Sequence, residues 1–160
     1  MILEIPLLPV GGICLHPRLI ILRRGMEPDE RRRMLRHEVT HAKQMRRPVW
    51  RRNRATRRFE ALLRKVDWVK WPLQYLFSPT WRCRYEAEAY ARSHTLHLLD
   101  QGHTLHETIH HLAAWVDRKY QPTWLFWESG RRLPLKDIRE WVTMWLPQAA
   151  FERSNPRATP

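Results

Sequence analysis

Residues 28–47 read Pro-Asp-Glu-Arg-Arg-Arg-Met-Leu-Arg-His-Glu-Val-Thr-His-Ala-Lys-Gln-Met-Arg-Arg, a stretch with no helix breaker after its first residue. Pro28 followed by Asp29 and Glu30 supplies the proline and the acidic first turn that open a helix. Pro48 removes a backbone donor and ends it. Inside lies His37-Glu38-Val39-Thr40-His41, an H-E-x-x-H motif. Residues four apart share a helix face, with Cβ atoms about 5–6 Å apart, so both imidazoles can reach one metal ion at about 2.0–2.1 Å. Glu38 projects about 100° away from His37. That direction suits a carboxylate that holds and deprotonates a water without binding the metal.

The chain contains a competitor, His106-Glu107-Thr108-Ile109-His110. Thr104 stands three residues before Glu107 and just after Gly102 and His103, so Thr104-x-x-Glu107 reads as a capping box that folds the glutamate back on its own helix start. No segment after it resembles a source of a third ligand. The first motif is followed by one, Arg84-Tyr-Glu-Ala-Glu-Ala-Tyr-Ala91, 45 residues from His41 to Glu86.

H-E-x-x-H followed on the next main helix by E-x-E-A, with small residues that let helices pack closely, resembles the glutamate-type zincins (gluzincins). It resembles in particular the small zinc-peptidase-like proteins of phages, prophages and bacteria, and is similar to the prenyl-protease and ImmA/IrrE-type peptidases. The resemblance covers residues 18–91. It implies a minimal zincin-like fold, Zn2+ as cofactor, His37, His41 and Glu86 as ligands, Glu38 as catalytic base, and a protein or peptide as substrate. It also implies an edge strand beside the metal cleft, for which Leu19 to Leu22 is the candidate. The families with E-x-x-A-D or E-x-x-A-N carry an acid or amide where this chain has Tyr90.

Several assignments stay open at this level. Glu86 and Glu88 are about 200° apart on a helix, so one of them faces a metal. Glu88, four residues from both Arg84 and Arg92, has an ordinary role as a surface ion-pair residue, which favours Glu86 as ligand. Tyr90 is either a hydroxyl donor to the oxyanion of a tetrahedral intermediate or a packed aromatic. Gln44, three residues after His41, either orients a ligand or contacts substrate, or else is an exposed polar residue near the helix end. His94, His97, His103, His106, His110 and His111 are either a further metal cluster or solvated and packed side chains.

Outward from the motif, residues 2–10 and the run Arg18-Leu-Ile-Ile-Leu-Arg23 read as two strands, with Gly11-Gly12 between them. Residues 51–69 place Phe59, Leu62, Leu63, Val66 and Val69 in one apolar stripe on an arginine-covered helix. Trp68 to Phe77, around Pro72, reads as an irregular or broken helical piece. Ser78-Pro79 supplies an N-cap and a first-turn proline for a helix to about Asp100 that stops at Gly102. Another helix begins at Thr104, Asp137 to Trp145 is the last, and residues 151–160 are a flexible tail. The fold class is α+β and predominantly helical: a short N-terminal sheet or hairpin, a metal-binding helix pair and a helical part over 92–150. The whole of 1–150 reads as a single domain, which is what 160 residues allow.

The chain has 29 Lys and Arg against 16 Asp and Glu, a formal net charge of +13, with 43% hydrophobic residues and nine tryptophans. That apolar fraction excludes a disordered chain. Between Arg18 and Lys65 there are 17 basic and 5 acidic residues, a difference of +12, so nearly all the excess lies in this block. Nucleic acid, an anionic membrane surface or an acidic partner would each suit it. Trp68, Trp71, Tyr75 and Phe77 beside it are core residues by default, with an interfacial or base-stacking surface as the alternative. Two cysteines, Cys14 and Cys83, exclude a disulfide scaffold and point to a reducing compartment. Glu4, Pro6 and Pro9 interrupt the apolar N-terminus, and no run approaches the roughly 20 apolar residues that span a bilayer, so the expectation is a soluble cytoplasmic protein.

The expected function is a small zinc metallopeptidase. Two alternatives stand beside it: a non-catalytic zinc-binding structural or phage-associated protein, and a basic nucleic-acid-binding protein in which H-E-x-x-H is incidental.

Overall fold

In a computed structural model of the chain, residues 1–6, 8–46, 67–120 and 133–154 are described. They form an α+β arrangement that is mainly helical. Three short strands, β1 (Ile2–Ile5), β2 (Gly12–His16) and β3 (Leu19–Arg23), precede α1 (Pro28–Arg46), α2 (Asp67–Phe77), α3 (Pro79–Asp100), α4 (Leu105–Tyr120), α5 (Leu135–Met144) and α6 (Gln148–Ser154).

The sheet corrects the sequence reading in two ways. The segment expected as one strand over 2–10 stops at Ile5, before the prolines, which cannot donate to a ladder. A strand unforeseen from the sequence, β2, begins at Gly12 and turns through Pro17-Arg18 into β3. The order is β1-β3-β2, with β1 parallel and β2 antiparallel to β3. Leu19–Leu22 is therefore central rather than an edge. Its Ile20 and Leu22 are buried, and being central follows from pairing both ways. The edge beside α1 is β2.

Two apolar clusters result. Cys14, Ile20, Leu22, Ala42, Met45 and Trp71 gather the sheet, α1 and α2. Cys83, Ala87, Tyr90, Ala91, Leu112, Ala113, Val116, Ile138 and Val142 gather α3, α4 and α5. Helix α3 joins them, packing against α1, α2, α4, α5 and α6. Residues 86–91, Glu-Ala-Glu-Ala-Tyr-Ala, are all buried, because neighbours approach this stretch from every side and the alanines leave room for them. Cys14 and Cys83 are both free and buried.

Helix α1 begins with its acidic first turn and carries Lys43 and Arg46 in its last, as its dipole favours. Helix α2 is continuous across Pro72 where a broken piece was expected. Stacking of Trp71 on Tyr75, with ring centroids 5.0 Å apart, spans the turn in which the proline lacks a donor. Ser78 is the N-cap of α3 by position, with extended backbone, although its hydroxyl makes no capping bond. The other end is a Schellman motif: Gly102 has φ 91°, its N–H reaches Leu99 O at 3.0 Å, and His103 N–H reaches Leu98 O at 3.1 Å. Residues 151–154, expected in the tail, belong to α6. The arginine-covered helix expected over 51–69 falls, up to residue 66, outside the described residues, as does the tail beyond residue 154. No helix among the described residues is long and apolar enough to cross a membrane.

Candidate metal centre

Helix α1 buries one face, which includes His37, Glu38, Thr40, His41, Gln44 and Met45, against the sheet and α3. The motif histidines lie on that face because the arginines occupy the other. His37 Nε2 and His41 Nε2 stand 3.1 Å apart. From α3, Glu86 brings Oε2 to 3.2 Å from His37 Nε2 and Oε1 to 3.4 Å from His41 Nε2. A tetrahedral ion with ligands at about 2.0–2.1 Å sets ligand atoms about 3.3–3.4 Å apart, and one ligand atom from each of the three residues lies within 4.8 Å of the others. Glu86 is 1% exposed, its Oε2 faces His37 and its Oε1 faces His41, and Oε2 has no hydrogen-bond donor, a buried environment that a cation would complete. Among the described residues, His37, His41 and Glu86 form the one group able to hold a metal.

The charges follow from the contacts. Burial acts to raise the Glu86 carboxyl, but His41 and His37 outweigh it and hold the group below the ordinary carboxylate range. Burial acts to lower His41, and Glu86 reverses that, raising the imidazole to about 9. Glu38, 4% exposed, is pushed above the usual carboxylate range by burial, with His37, His41 and a hydrogen bond from the Cys14 N–H drawing it back.

That last bond locates the edge strand. Arg23 N–H donates to Gly11 O, and the register pairs Ile13 with Ile21, so Gly12 and Cys14 fall at the alternate positions whose N–H and C=O point away from β3. The outward Cys14 N–H meets Glu38. A Cβ on Gly12 would lie 2.9 Å from Glu38 Cγ, so only glycine leaves space for this carboxylate.

Behind His41 lies a second layer. His41 Nδ1 is 2.8 Å from Gln44 Oε1, and Gln44 Nε2 donates to Tyr85 O at 3.0 Å and to Glu88 Oε2 at 3.1 Å. Gln44 is thus buried and in contact with His41 Nδ1, not exposed. Of the two glutamates, Glu86 faces the histidines. Glu88 does pair with Arg92, at 3.0 Å, yet it is 3% exposed and not a surface residue. Tyr90 packs its ring against His37 with centroids 4.6 Å apart, while its hydroxyl lies 3.3 Å from that of Tyr120. The hydroxyl that does reach the triad is Tyr75, which donates to Glu86 Oε1 at 2.5 Å. Burial, then the Glu86 charge, raises its phenol far above the ordinary value. Sequence reasoning named Tyr75 only as one of an aromatic group. Nothing in its spacing ties it to Glu86, because the contact is made by the packing of α2 on α3.

The second H-E-x-x-H is a helix start. Thr104 N–H donates to Glu107 Oε2 at 2.8 Å and Glu107 N–H to Thr104 Oγ1 at 3.2 Å, the reciprocal bonds of a capping box. These bonds hold Glu107 below its ordinary value. His106 and His110 are exposed, and His110 Nδ1 lies 2.6 Å from Arg139. His97 Nδ1 lies 3.3 Å from an Arg33 nitrogen, and burial drives His94 down to about 3. Within the described part of the basic block, Arg23 pairs with Glu30, Arg31 with Glu4 and Arg32 with Asp29. Of the aromatics beside it, Trp71 is buried against His41 while Phe77 is 55% exposed. No protein-family model, no curated protein and no solved structure matches the chain, so the candidate metal centre stands on its own geometry.

Proposed function

We propose that the chain is a zinc-dependent peptidase in which His37, His41 and Glu86 hold the ion. The observation that carries this reading is the buried meeting of His37 Nε2, His41 Nε2 and the Glu86 carboxylate, with 3.1 Å between the imidazole nitrogens and 3.2 and 3.4 Å from them to the two carboxylate oxygens. Two imidazoles and one carboxylate form the donor set of a catalytic zinc site, since three protein ligands leave the fourth position open. Zinc bound there supplies Lewis acidity, polarising a carbonyl and bringing a water's pKa toward neutrality.

The chain's own residues provide the rest. Glu38, next to His37 in sequence and raised by burial, accepts a proton from the attacking water and returns it to the leaving nitrogen, for which a pKa above the carboxylate range is suited. Tyr75, not Tyr90, is the tyrosine whose O–H reaches the triad, where it donates to Glu86 Oε1 and orients that carboxylate.

One observation favours a second reading, a zinc-binding protein that cleaves nothing: His37, Glu38 and His41 are each 4% exposed and Glu86 1%. Metal analysis and a peptide-library assay on wild type and Glu38→Gln separate the two. The peptidase is expected to bind one zinc in both forms and to lose about 10²–10⁴-fold in hydrolysis in Glu38→Gln. Zinc without cleavage in wild type selects the second reading, and absence of zinc binding removes the site.

A further inference from the structure

Glu88 stands two residues past Glu86 and faces the rear of the same site. Its Oε1 accepts from the Arg92 guanidinium at 3.0 Å, and its Oε2 accepts from Gln44 Nε2 at 3.1 Å. The Tyr85 carbonyl accepts from the same nitrogen at 3.0 Å. A backbone carbonyl can only accept, so the NH₂ end of the Gln44 amide must face Tyr85 O and, with it, Glu88. Its carbonyl end is thereby turned to His41 Nδ1, 2.8 Å away. An acceptor at that position holds a proton on Nδ1 and reserves Nε2, the atom that faces His37 and Glu86, for the ion. His37 has no such brace, as its buried Nδ1 lacks a partner among the described residues.

We propose that Glu88 is a positioning residue of the metal centre, which through the Gln44 amide fixes His41 with Nε2 toward the ion. The two acids of E-x-E then divide the work, Glu86 on the ion and Glu88 on the group that aims its neighbour. The inference rests on the metal-site reading above, and its test keeps the two apart.

Zinc affinity is measured by competition with a chromogenic chelator on wild type, Gln44→Leu, Glu88→Leu and Glu88→Gln, with circular dichroism to confirm folding. Long-range ¹⁵N–¹H spectra of the zinc-loaded wild type identify the nitrogen of His41 that binds. Gln44→Leu and Glu88→Leu are expected to weaken zinc binding by about 10–100-fold. Glu88→Gln, whose amide oxygen still accepts from Gln44, recovers most of that loss, which a role in charge alone would not allow. In wild type, His41 binds through Nε2 and keeps its Nδ1 proton. Folded Glu88→Leu with wild-type affinity overturns the positioning role and leaves the metal site standing. If the leucine variant does not fold, coordination of His41 through Nδ1 in wild type overturns the role by itself. A wild type that takes up no zinc overturns both.

Discussion

Glu38 is held from three directions: its neighbours His37 and His41 on α1, the Cys14 N–H from the edge strand, and the bare α-carbon of Gly12. A methyl group at residue 12 would meet Glu38 Cγ at 2.9 Å and Leu22 Cδ2 and Met34 Cγ at 3.0 Å each, so something must move. Leu22 is fully buried in the sheet cluster, and the yielding group is Glu38 with Met34. Gly12→Ala is therefore expected to cost about 1–3 kcal/mol, the usual range for overpacking, and to melt several degrees lower. It should take up zinc as wild type does, since the ligands lie elsewhere, but turn over peptide at least about tenfold more slowly because the base is displaced. Thermal melts, zinc titration and hydrolysis on one preparation check the three parts, and weakened zinc binding would show that Gly12 supports the ligands instead. The sequence made His37, His41, Glu38 and Glu86 legible because helical spacing relates them or a motif pairs them. Gly12, Tyr75 and the Cys14 N–H were not legible. Each reaches the site from another element, and no periodicity encodes which strand edge or which tyrosine arrives there.

Among the elements, helices were easier to read than strands. The ends of α3 and the start of α4 are written in local chemistry: Pro79 at the first turn, Gly102 with its positive φ, and Thr104 with Glu107. Strand β2 carries only Gly-Ile-Cys-Leu-His, too short for alternation to separate it from a loop, and its identity comes from pairing with β3. The same local logic distinguishes the two H-E-x-x-H helices. In α1 the glutamate is buried beside the histidines, whereas in α4 it is spent on the helix start. Thr104→Ala is expected to cost about 0.5–2 kcal/mol through the lost cap and to leave zinc affinity unchanged. Equilibrium denaturation with zinc titration measures both, and a loss of zinc binding in this variant would place the second motif in the metal site.

Across the molecule, the candidate metal centre lies at the seam between the two apolar clusters, with its histidines on the sheet side and Glu86 on the side of α4 and α5. Part of the +13 charge that dominates the composition lies away from that seam, with Arg23, Arg31 and Arg32 paired to Glu30, Glu4 and Asp29, while Arg82 is buried and Arg92 pairs with the buried Glu88 behind the site. What the seam does govern is stability against pH. His41 in the metal-free protein titrates at about 9, above its unfolded value of 6.5, so its contribution is complete below pH 6.5 and is lost as pH rises through 9. His94, depressed to about 3, acts in the opposite sense: its contribution is complete above pH 6.5 and is lost as pH falls through 3. Glu86, held below its ordinary 4.5, adds to the acid limb, while Glu38, raised above 4.5, subtracts from it. The metal-free protein is thus expected to be most stable near pH 6.5. Zinc must displace the His41 proton, so its apparent affinity should climb by up to about tenfold per pH unit between 6.5 and 9. The zinc-induced rise in Tm should therefore grow across the same interval in which the metal-free Tm falls. Paired melts at pH 6.5, 7.25 and 8, with and without excess zinc, measure the two slopes. A zinc increment that stays flat while the metal-free curve falls would mean that the ion does not compete with the proton on His41, and would move it off this pair of helices.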